Sequence, residues 1–142
     1  MSIQLVAYAN FAGNAREAMT YYQEVFGGKL TIAGFAGFGL QDLPADGTMH
    51  AELVTDWFTI MASDAMPGAE ATWGGTRVYL AFMSDEVERL TLWYDRLAAD
   101  GRAGKPLERQ VWGDLYGDVM DKFGLEWMFN ISQPKGWSQT AQ

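Results

Sequence analysis

Cysteine is absent from this 142-residue chain, and histidine occurs once, at His50. The missing thiols exclude disulfides, thiolate metal sites and cysteine nucleophiles. The single imidazole narrows metal chemistry further, because a catalytic divalent site usually takes about three protein ligands from His, Asp and Glu. Any metal site would therefore have to be rich in carboxylates.

Basic residues are scarce as well: 10 Lys and Arg stand against 18 Asp and Glu, a net charge of −8. Nucleic acids and anionic membrane surfaces attract clustered positive charge, so we predict binding to neither. No stretch approaches the roughly 20 apolar residues of a membrane span. The first residues also lack the basic and apolar segments typical of a signal peptide. We therefore expect a cytoplasmic protein.

Aromatic residues are abundant, at 14% of the chain. They are typical both of a well-packed core and of a cavity lined by rings, and the composition leaves both interpretations open. The length suits one domain, residues 1–142, with a sizeable core.

Two helices are predicted, one in each half of the chain. Asn14 with Glu17 forms a capping-box pattern before the first helix, and Ser84 or Asp85 precedes the second. The apolar stripes of the two helices have identical spacing. Their members are Ala15, Ala18, Tyr22, Val25 and Phe26 in the first helix, and Val87, Leu90, Tyr94, Leu97 and Ala98 in the second. The match indicates an internal duplication.

Strands are predicted around each helix. The first half has strands at 3–12, 29–38, 49–56 and 57–64; the second has strands at 76–83, 108–112 and 125–132 and a turn at 114–124. We interpret the order as two βαβββ modules, at about 1–70 and 71–142, with an α+β fold.

Five segments in this order resemble the vicinal oxygen chelate superfamily of glyoxalases, extradiol dioxygenases and bleomycin-resistance proteins. They are residues 11–28, 49–54, 61–68 and 111–127 and the closing MFNI. The chain is most similar to the PhnB-like branch, often labelled 3-demethylubiquinone-9 3-methyltransferase-like. The resemblance implies two tandem modules forming cupped mixed sheets around a cavity, and a homodimer.

The resemblance also implies where a metal would bind. Members with metal chemistry place their ligands, usually His, His, Glu and Glu, on the first and last strands of the modules. The nearest positions here are Ala7, Val78, Met61, Ser63, Met128 and Asn130. None is His or Glu, so we expect no metal cofactor. A divalent site built from His50 with Glu52 or Asp64 remains the alternative.

His50 and Glu52 are the candidate catalytic residues. They share one face of the strand at 49–56, and such a pair can act as a base with its orienting partner. PhnB-like chains carry the same histidine. The alternative is a partly solvated strand face with no catalytic role.

Eight residues are candidates for ligand binding: Tyr8, Asn10, Met61, Ser63, Asp64, Trp112, Met128 and Asn130. Ser63 and Asp64 end a predicted strand, where they could hold a polar ligand group or cap the next loop. Met61 and Met128 would form a soft apolar floor that suits an aromatic or lipophilic ligand.

Two common motifs are missing. No G-x-S-x-G elbow accompanies Ser63 and His50, which argues against a serine triad. The glycines of 34–40 do not match G-x-G-x-x-G, which argues against a nucleotide or S-adenosylmethionine pocket.

The leading functional hypothesis is a PhnB-like protein that binds a small molecule in an apolar, aromatic cavity without the usual metal. One alternative is a divalent-metal-dependent lyase, isomerase or dioxygenase of glyoxalase type. Another is a resistance protein that sequesters a drug. The sequence does not decide whether the protein is an enzyme, and it names no ligand.

Overall fold

The computed structural model describes residues 4–35, 47–65 and 78–132. The chain divides into two compact units, Met1–Gly74 and Gly75–Gln142, close to the predicted module boundary. Neither helix in the described ranges is long and apolar enough to span a membrane. Within each unit, one helix covers one face of a sheet, as in an α+β fold.

The first unit follows the predicted βαβββ order. Its elements are β1 (Ala7–Phe11), α1 (Ala15–Phe26), β2 (Lys29–Gly34), β3 (Thr48–Val54) and β4 (Thr59–Asp64). The strands lie in the order β1-β4-β3-β2, with β1 parallel to β4 and the other neighbours antiparallel. The first strand thus pairs with the last, although more than 40 residues of chain separate them.

Helix α1 covers one face of this sheet. All five residues of the predicted apolar stripe are buried, together with Met19 and Tyr21. The sheet presents Ala51, Leu53 and Ile60 to the helix, each at most 2% exposed. Burial of this apolar stripe, rather than helix propensity, stabilises a 12-residue helix.

The N-terminus of α1 is capped differently from the prediction, since Asn14 makes no side-chain capping bond. Instead, the Ala15 amide donates to Asp64 Oδ1 at 2.8 Å, and the Thr48 amide donates to Asp64 Oδ2 at 2.9 Å. Asp64 is 6% exposed. One buried carboxylate therefore joins the start of α1 to β3 and β4, close to the positive end of the helix dipole.

The second unit repeats the plan with more strands. Its elements are β5 (Leu80–Ser84), α2 (Val87–Asp100), β6 (Arg102–Ala103), β7 (Glu108–Arg109), β8 (Leu115–Met120) and β9 (Glu126–Ile131). The order is β5-β9-β8-β6, and β7 also pairs with β8. The edge position that β2 fills in the first unit is thus filled in the second by β6 and β7, which have two residues each.

The core of the second unit is built from rings. Phe82 lies between Trp93 and Trp127, with centroids 5.1 and 5.4 Å away. Trp93 is buried although the predicted stripe omitted it, whereas Val87 is 37% exposed. The stripe of α2 is therefore shifted toward Trp93, because an indole fills more of the core than a valine.

The predicted turn at 114–124 is wrong over most of its length, since β8 occupies Leu115–Met120. Within β8, Gly117 and Asp118 allow another segment of the chain to pack closely against the strand. A Cβ on Gly117 would lie 2.9 Å from the Lys105 carbonyl oxygen. Asp118 Oδ1 accepts the Lys105 amide at 2.8 Å. The strand predicted at 108–112 shrinks to β7.

Candidate functional site

Each sheet has one face against its helix; we call the opposite face the open face. In the first unit, alternation along β1 turns Ala9 and Phe11 toward the helix and leaves Tyr8 and Asn10 exposed. The same alternation holds in β3 and β4. Six predicted site residues therefore share the open face of the first unit: Tyr8, Asn10, His50, Glu52, Met61 and Ser63.

Met61 lies at the centre of this group. It pairs with Tyr8 on β1 and with Glu52 on β3. Side chains of directly paired residues are neighbours, with Cβ atoms roughly 5 Å apart. A thioether is thus flanked by a phenol on one side and a carboxylate on the other.

Two polar contacts organise the open face of the first unit. The Tyr8 hydroxyl lies 3.1 Å from His50 Nδ1, and the two rings are 5.8 Å apart. This contact joins β1 to β3, the strands on either side of β4. Ser63 donates from its hydroxyl to Asn10 Oδ1 at 3.4 Å. The predicted residues therefore interact with one another, although they come from three separate strands.

The structure shows no side-chain hydrogen bond between Glu52 and His50. Among the residues that the structure describes, Glu52 has no side-chain hydrogen bond or ion pair, and the side-chain contact of His50 is with Tyr8. The predicted shared face of His50 and Glu52 is confirmed, and their catalytic pairing stays a prediction. The hydroxyl that contacts His50 comes from Tyr8 on β1, 42 residues away.

Asp64 is the predicted ligand-binding residue of the first unit that does not join this group. It lies on the helix side of β4, and both carboxylate oxygens accept backbone amides. We correct its assignment accordingly and leave it out of the candidate site. Alternation alone indicates this, since Met61 and Ser63 face the other way.

The open face of the second unit carries Met128 and Asn130 on β9. Asn130 is held by two contacts: Trp112 Nε1 donates to Asn130 Oδ1 at 3.2 Å, and Asn130 Nδ2 donates to Asp114 Oδ2 at 2.9 Å. Trp112 lies in a turn closed by the Gly113 amide and the Gln110 carbonyl, and its side chain is 53% exposed. The ring is thus both oriented and accessible.

Two acids on this face were missed by the sequence analysis. Asp118 Oδ2 accepts the Tyr116 hydroxyl at 3.2 Å, and burial followed by the Asp118 charge raises the Tyr116 pKa. Glu126 faces the same side as Met128. Burial raises the pKa of Tyr79, and the charges of Asp118 and Glu126 raise it further. Alternation along EWMFNI could have found Glu126; Asp118 was hidden by the mistaken turn.

The two methionines occupy corresponding positions. In the first unit the β1–β4 pairing ends at Phe11 and Asp64, after which the Ala65 amide donates to the Phe11 carbonyl. In the second unit the β5–β9 pairing ends at Ser84 and Ile131, and the Ser132 amide donates to the Ser84 carbonyl. Met61 and Met128, each three residues before the end of its last strand, therefore correspond.

The residues present do not fit the metal set that the resemblance implies. On the open faces of β1, β4, β5 and β9, Glu126 is the one residue of the usual ligand types. The described part of the chain holds no group of three or more His, Asp or Glu that could bind a metal ion. Methionine sulfur at both corresponding positions is a poor ligand for hard divalent ions.

A shallow surface hollow of about 640 Å³ lies beside the first turns of α2, lined by Asp85, Glu86, Val87, Glu88, Arg89, Leu92 and Trp93. It contains none of the candidate residues. The aromatic cavity expected from the sequence stays a prediction.

Two βαβββ units with these sheet orders define the class of protein. The family model of the Glyoxalase/Bleomycin resistance protein/Dioxygenase superfamily matches residues 4–129, and the chain belongs to this superfamily. The predicted superfamily and fold are confirmed.

Particular relatives extend the comparison. Protein YjdN of Escherichia coli K12 is 33% identical over 141 residues, which cover 89% of this chain and 94% of YjdN. The crystal structure of PA1353 from Pseudomonas aeruginosa is 34% identical, with a TM-score of 0.78 over 94% of this chain and all of that one. A Bacillus cereus PhnB protein with a 3-demethylubiquinone-9 3-methyltransferase label shares the fold, at 20% identity and a TM-score of 0.72 over 92% of this chain and all of that one.

Proposed function

We propose that this protein is a metal-independent member of its superfamily that binds a small molecule on the open face of the first unit. The observation that carries the proposal is the group around Met61, in which Tyr8 contacts His50 while the Glu52 carboxylate has no partner among the described residues. Polar groups with no structural task, gathered around an apolar centre, are typical of small-molecule sites.

The chemistry of this face suits a ligand with an apolar body and a polar end. The Met61 thioether and the half-exposed Tyr8 ring offer soft, polarizable contact to an aromatic or lipophilic body. His50 and Glu52, side by side on β3, offer hydrogen bonds to a polar end. Met128 and Asn130, with the accessible ring of Trp112, remain a separate proposed ligand-binding surface on the open face of the second unit.

The metal-independent part of the proposal is tested by elemental analysis of the untagged protein, by plasma mass spectrometry before and after chelator treatment. We expect less than about a tenth of a divalent ion per chain and no change in thermal stability, since a bound ion would stabilise the fold by mass action. About one ion per chain, lost together with stability, would contradict it and favour a glyoxalase-type metalloenzyme.

The binding part is tested with a library of small aromatic and lipophilic compounds, followed by ligand-observed NMR. We expect Met61→Gln to weaken the hits by about tenfold, because a polar amide replaces the apolar centre of the site. Leu92→Gln is the matched control, since Leu92 is an exposed apolar residue on α2. Equal affinity in both variants would place the ligand elsewhere.

Two further parts of the proposal concern turnover and assembly. Hits that bind without being consumed would favour the drug-sequestering alternative, and turnover lost in His50→Ala would favour an enzyme.

We also propose that the protein forms the homodimer implied by the superfamily. Light scattering at several protein concentrations tests this.

A further inference from the structure

We propose that Tyr8 is a positioning residue that holds the His50 ring as its Nε2–H tautomer, so that the site offers an N–H donor to an oxygen acceptor of the ligand. The inference deepens the proposed function and rests on it, because it names the chemical class that the same site would take. It concerns two side chains whose one side-chain hydrogen bond, among the described residues, is with each other.

The geometry is specific about which ring nitrogen is engaged. The Tyr8 hydroxyl lies 3.1 Å from His50 Nδ1, a hydrogen-bond distance. A neutral imidazole has one donor and one acceptor nitrogen, and the hydrogen bond made by one fixes the role of the other. A phenol oxygen is a weak acceptor because its lone pair is shared with the ring, so the hydroxyl donates to Nδ1. The proton of the imidazole is then on Nε2.

Nothing in the described structure uses the Nε2 edge of the ring. His50 is partly exposed, and its side-chain hydrogen bond within the described residues is the one to Tyr8. Nε2 lies on the ring edge away from Nδ1, so its N–H is available to a ligand. A carbonyl, amide or carboxylate oxygen is the complementary group.

Glu52 adds a hydrogen-bond acceptor beside the N–H donor of His50. It lies two residues along β3 on the same face, at a Cα separation of about 7 Å for a strand. An ionised carboxylate only accepts hydrogen bonds. The site therefore pairs a donor with an acceptor, and it fits a ligand whose polar end carries an oxygen acceptor beside a hydroxyl or amide donor. Small aromatic hydroxy-carbonyl compounds have this pattern on an apolar body that suits Met61.

The positioning role is tested without any ligand. His50 is the single histidine of the chain, so a sample labelled with ¹⁵N-histidine shows one pair of ring nitrogens. At pH about 8.5, above the range in which imidazole rings ordinarily titrate, we expect Nδ1 to have the shift of an unprotonated nitrogen and Nε2 that of a protonated one. In Tyr8→Phe the two shifts should move toward each other, because the tautomers then exchange.

Tyr116→Phe is the matched control. It removes the hydroxyl of an open-face tyrosine of the second unit, one that donates to Asp118 rather than to a histidine. The control should leave both His50 nitrogens where they are. A protonated Nδ1 in the unaltered protein would overturn the positioning role. Nitrogen shifts in Tyr8→Phe that are unchanged from those of the unaltered protein would overturn it as well.

The ligand class is tested with three probes of similar size: 2-hydroxy-1-phenylethanone, acetophenone and ethylbenzene. We expect affinity to fall in that order, and Tyr8→Phe to weaken the hydroxy-ketone about fivefold while ethylbenzene is unaffected, as for loss of one oriented hydrogen bond. Equal binding of ethylbenzene and the ketones would overturn the ligand class and leave the proposed site standing. Failure of all three to bind would overturn the ligand class and count against the proposed function, while the nitrogen shifts decide the role of Tyr8.

Discussion

The two units have the same frame but use their acids differently. In each, a methionine of the last strand pairs with an acid of the strand beside it: Met61 with Glu52, and Met128 with Asp118. Asp118 accepts the Lys105 amide and the Tyr116 hydroxyl. Glu52 has neither kind of contact among the described residues. The acid at this position therefore makes structural hydrogen bonds in the second unit, and in the first unit it makes none with the described residues.

On the helix sides of the two sheets the structural acid belongs to the first unit, whereas on the open faces it belongs to the second. At the end of its last strand the first unit buries Asp64, whereas the second unit has the apolar Ile131 at the corresponding position. The first unit thus places a structural carboxylate under its helix and leaves its open-face carboxylate unpaired. In the first unit the structural hydrogen bonds are made by Asp64 on the helix side, so the fold does not depend on the Glu52 carboxylate on the open face.

The largest effect is expected from Asp64→Ala. The substitution leaves the buried amides of Ala15 and Thr48 without acceptors, and it should lower the free energy of unfolding by about 3 kcal/mol. Urea denaturation measures the loss. Asp56→Ala, on an exposed turn of the same unit, is the control and should change little. Equal effects of the two substitutions would show that the buried carboxylate has no special role.

A second comparison concerns corresponding turns. Asp121 accepts the amides of Phe123 and Leu125 and the indole N–H of Trp127, and it is 3% exposed. In the first unit the Thr55 hydroxyl accepts the amides of the next turn instead. We expect Asp121→Ala to cost about 3 kcal/mol of unfolding free energy and Thr55→Ala about 1, because only the acid is buried.

Tryptophan fluorescence during urea denaturation measures both variants of this second comparison, and circular dichroism checks that each one folds. A loss from Thr55→Ala as large as that from Asp121→Ala would contradict the ranking by burial.

The fold could be predicted from the sequence where burial is periodic. The α1 stripe, Ala15 to Phe26, is confirmed in full, because five apolar positions at helical spacing leave one way to bury them. β8 could not be predicted, since Gly and Asp are residue types typical of turns. Gly117 and Asp118 stand in this strand because of a contact with a distant segment, which the local sequence does not reveal. The Lys105 segment approaches Gly117 too closely for a side chain.

The candidate site could be predicted only one strand at a time. Alternation placed His50 and Glu52 on a shared face, which the structure confirms. The contact between Tyr8 and His50 depends on the parallel pairing of β1 with β4, and a single strand's pattern does not contain the pairing of distant strands. Asp64 was misassigned because its residue type suits a ligand site as well as a helix cap.

The third prediction tests whether the paired acids have separated in function. Glu52→Gln should weaken binding of 2-hydroxy-1-phenylethanone about tenfold with little change in unfolding free energy, since the carboxylate has no described partner to lose. Asp118→Asn should change binding of this ligand little. It should lower the free energy of unfolding by about 1 to 2 kcal/mol, because it weakens two hydrogen bonds. Titration of the ligand and urea denaturation of each variant measure the two quantities. Loss of stability in Glu52→Gln would end the distinction between the units.

The smallest effect concerns the tyrosines near Asp118. Burial raises the pKa of Tyr116 and of Tyr94, and the Asp118 charge raises each further. A raised pKa means that the folded state holds the phenol proton more tightly than the unfolded state does. Its contribution to stability is therefore complete below the unfolded pKa, about 10, and is lost as the pH rises through the folded value.

Asp118→Asn removes the charge and keeps the burial, so tyrosinate absorbance at alkaline pH should begin at lower pH while part of the upward shift remains. Asp56→Asn, an exposed acid of the first unit, should leave the titration unchanged. An unchanged titration in Asp118→Asn would mean that burial alone raises these pKa values, and that Asp118 serves the second unit through its hydrogen bonds rather than its charge.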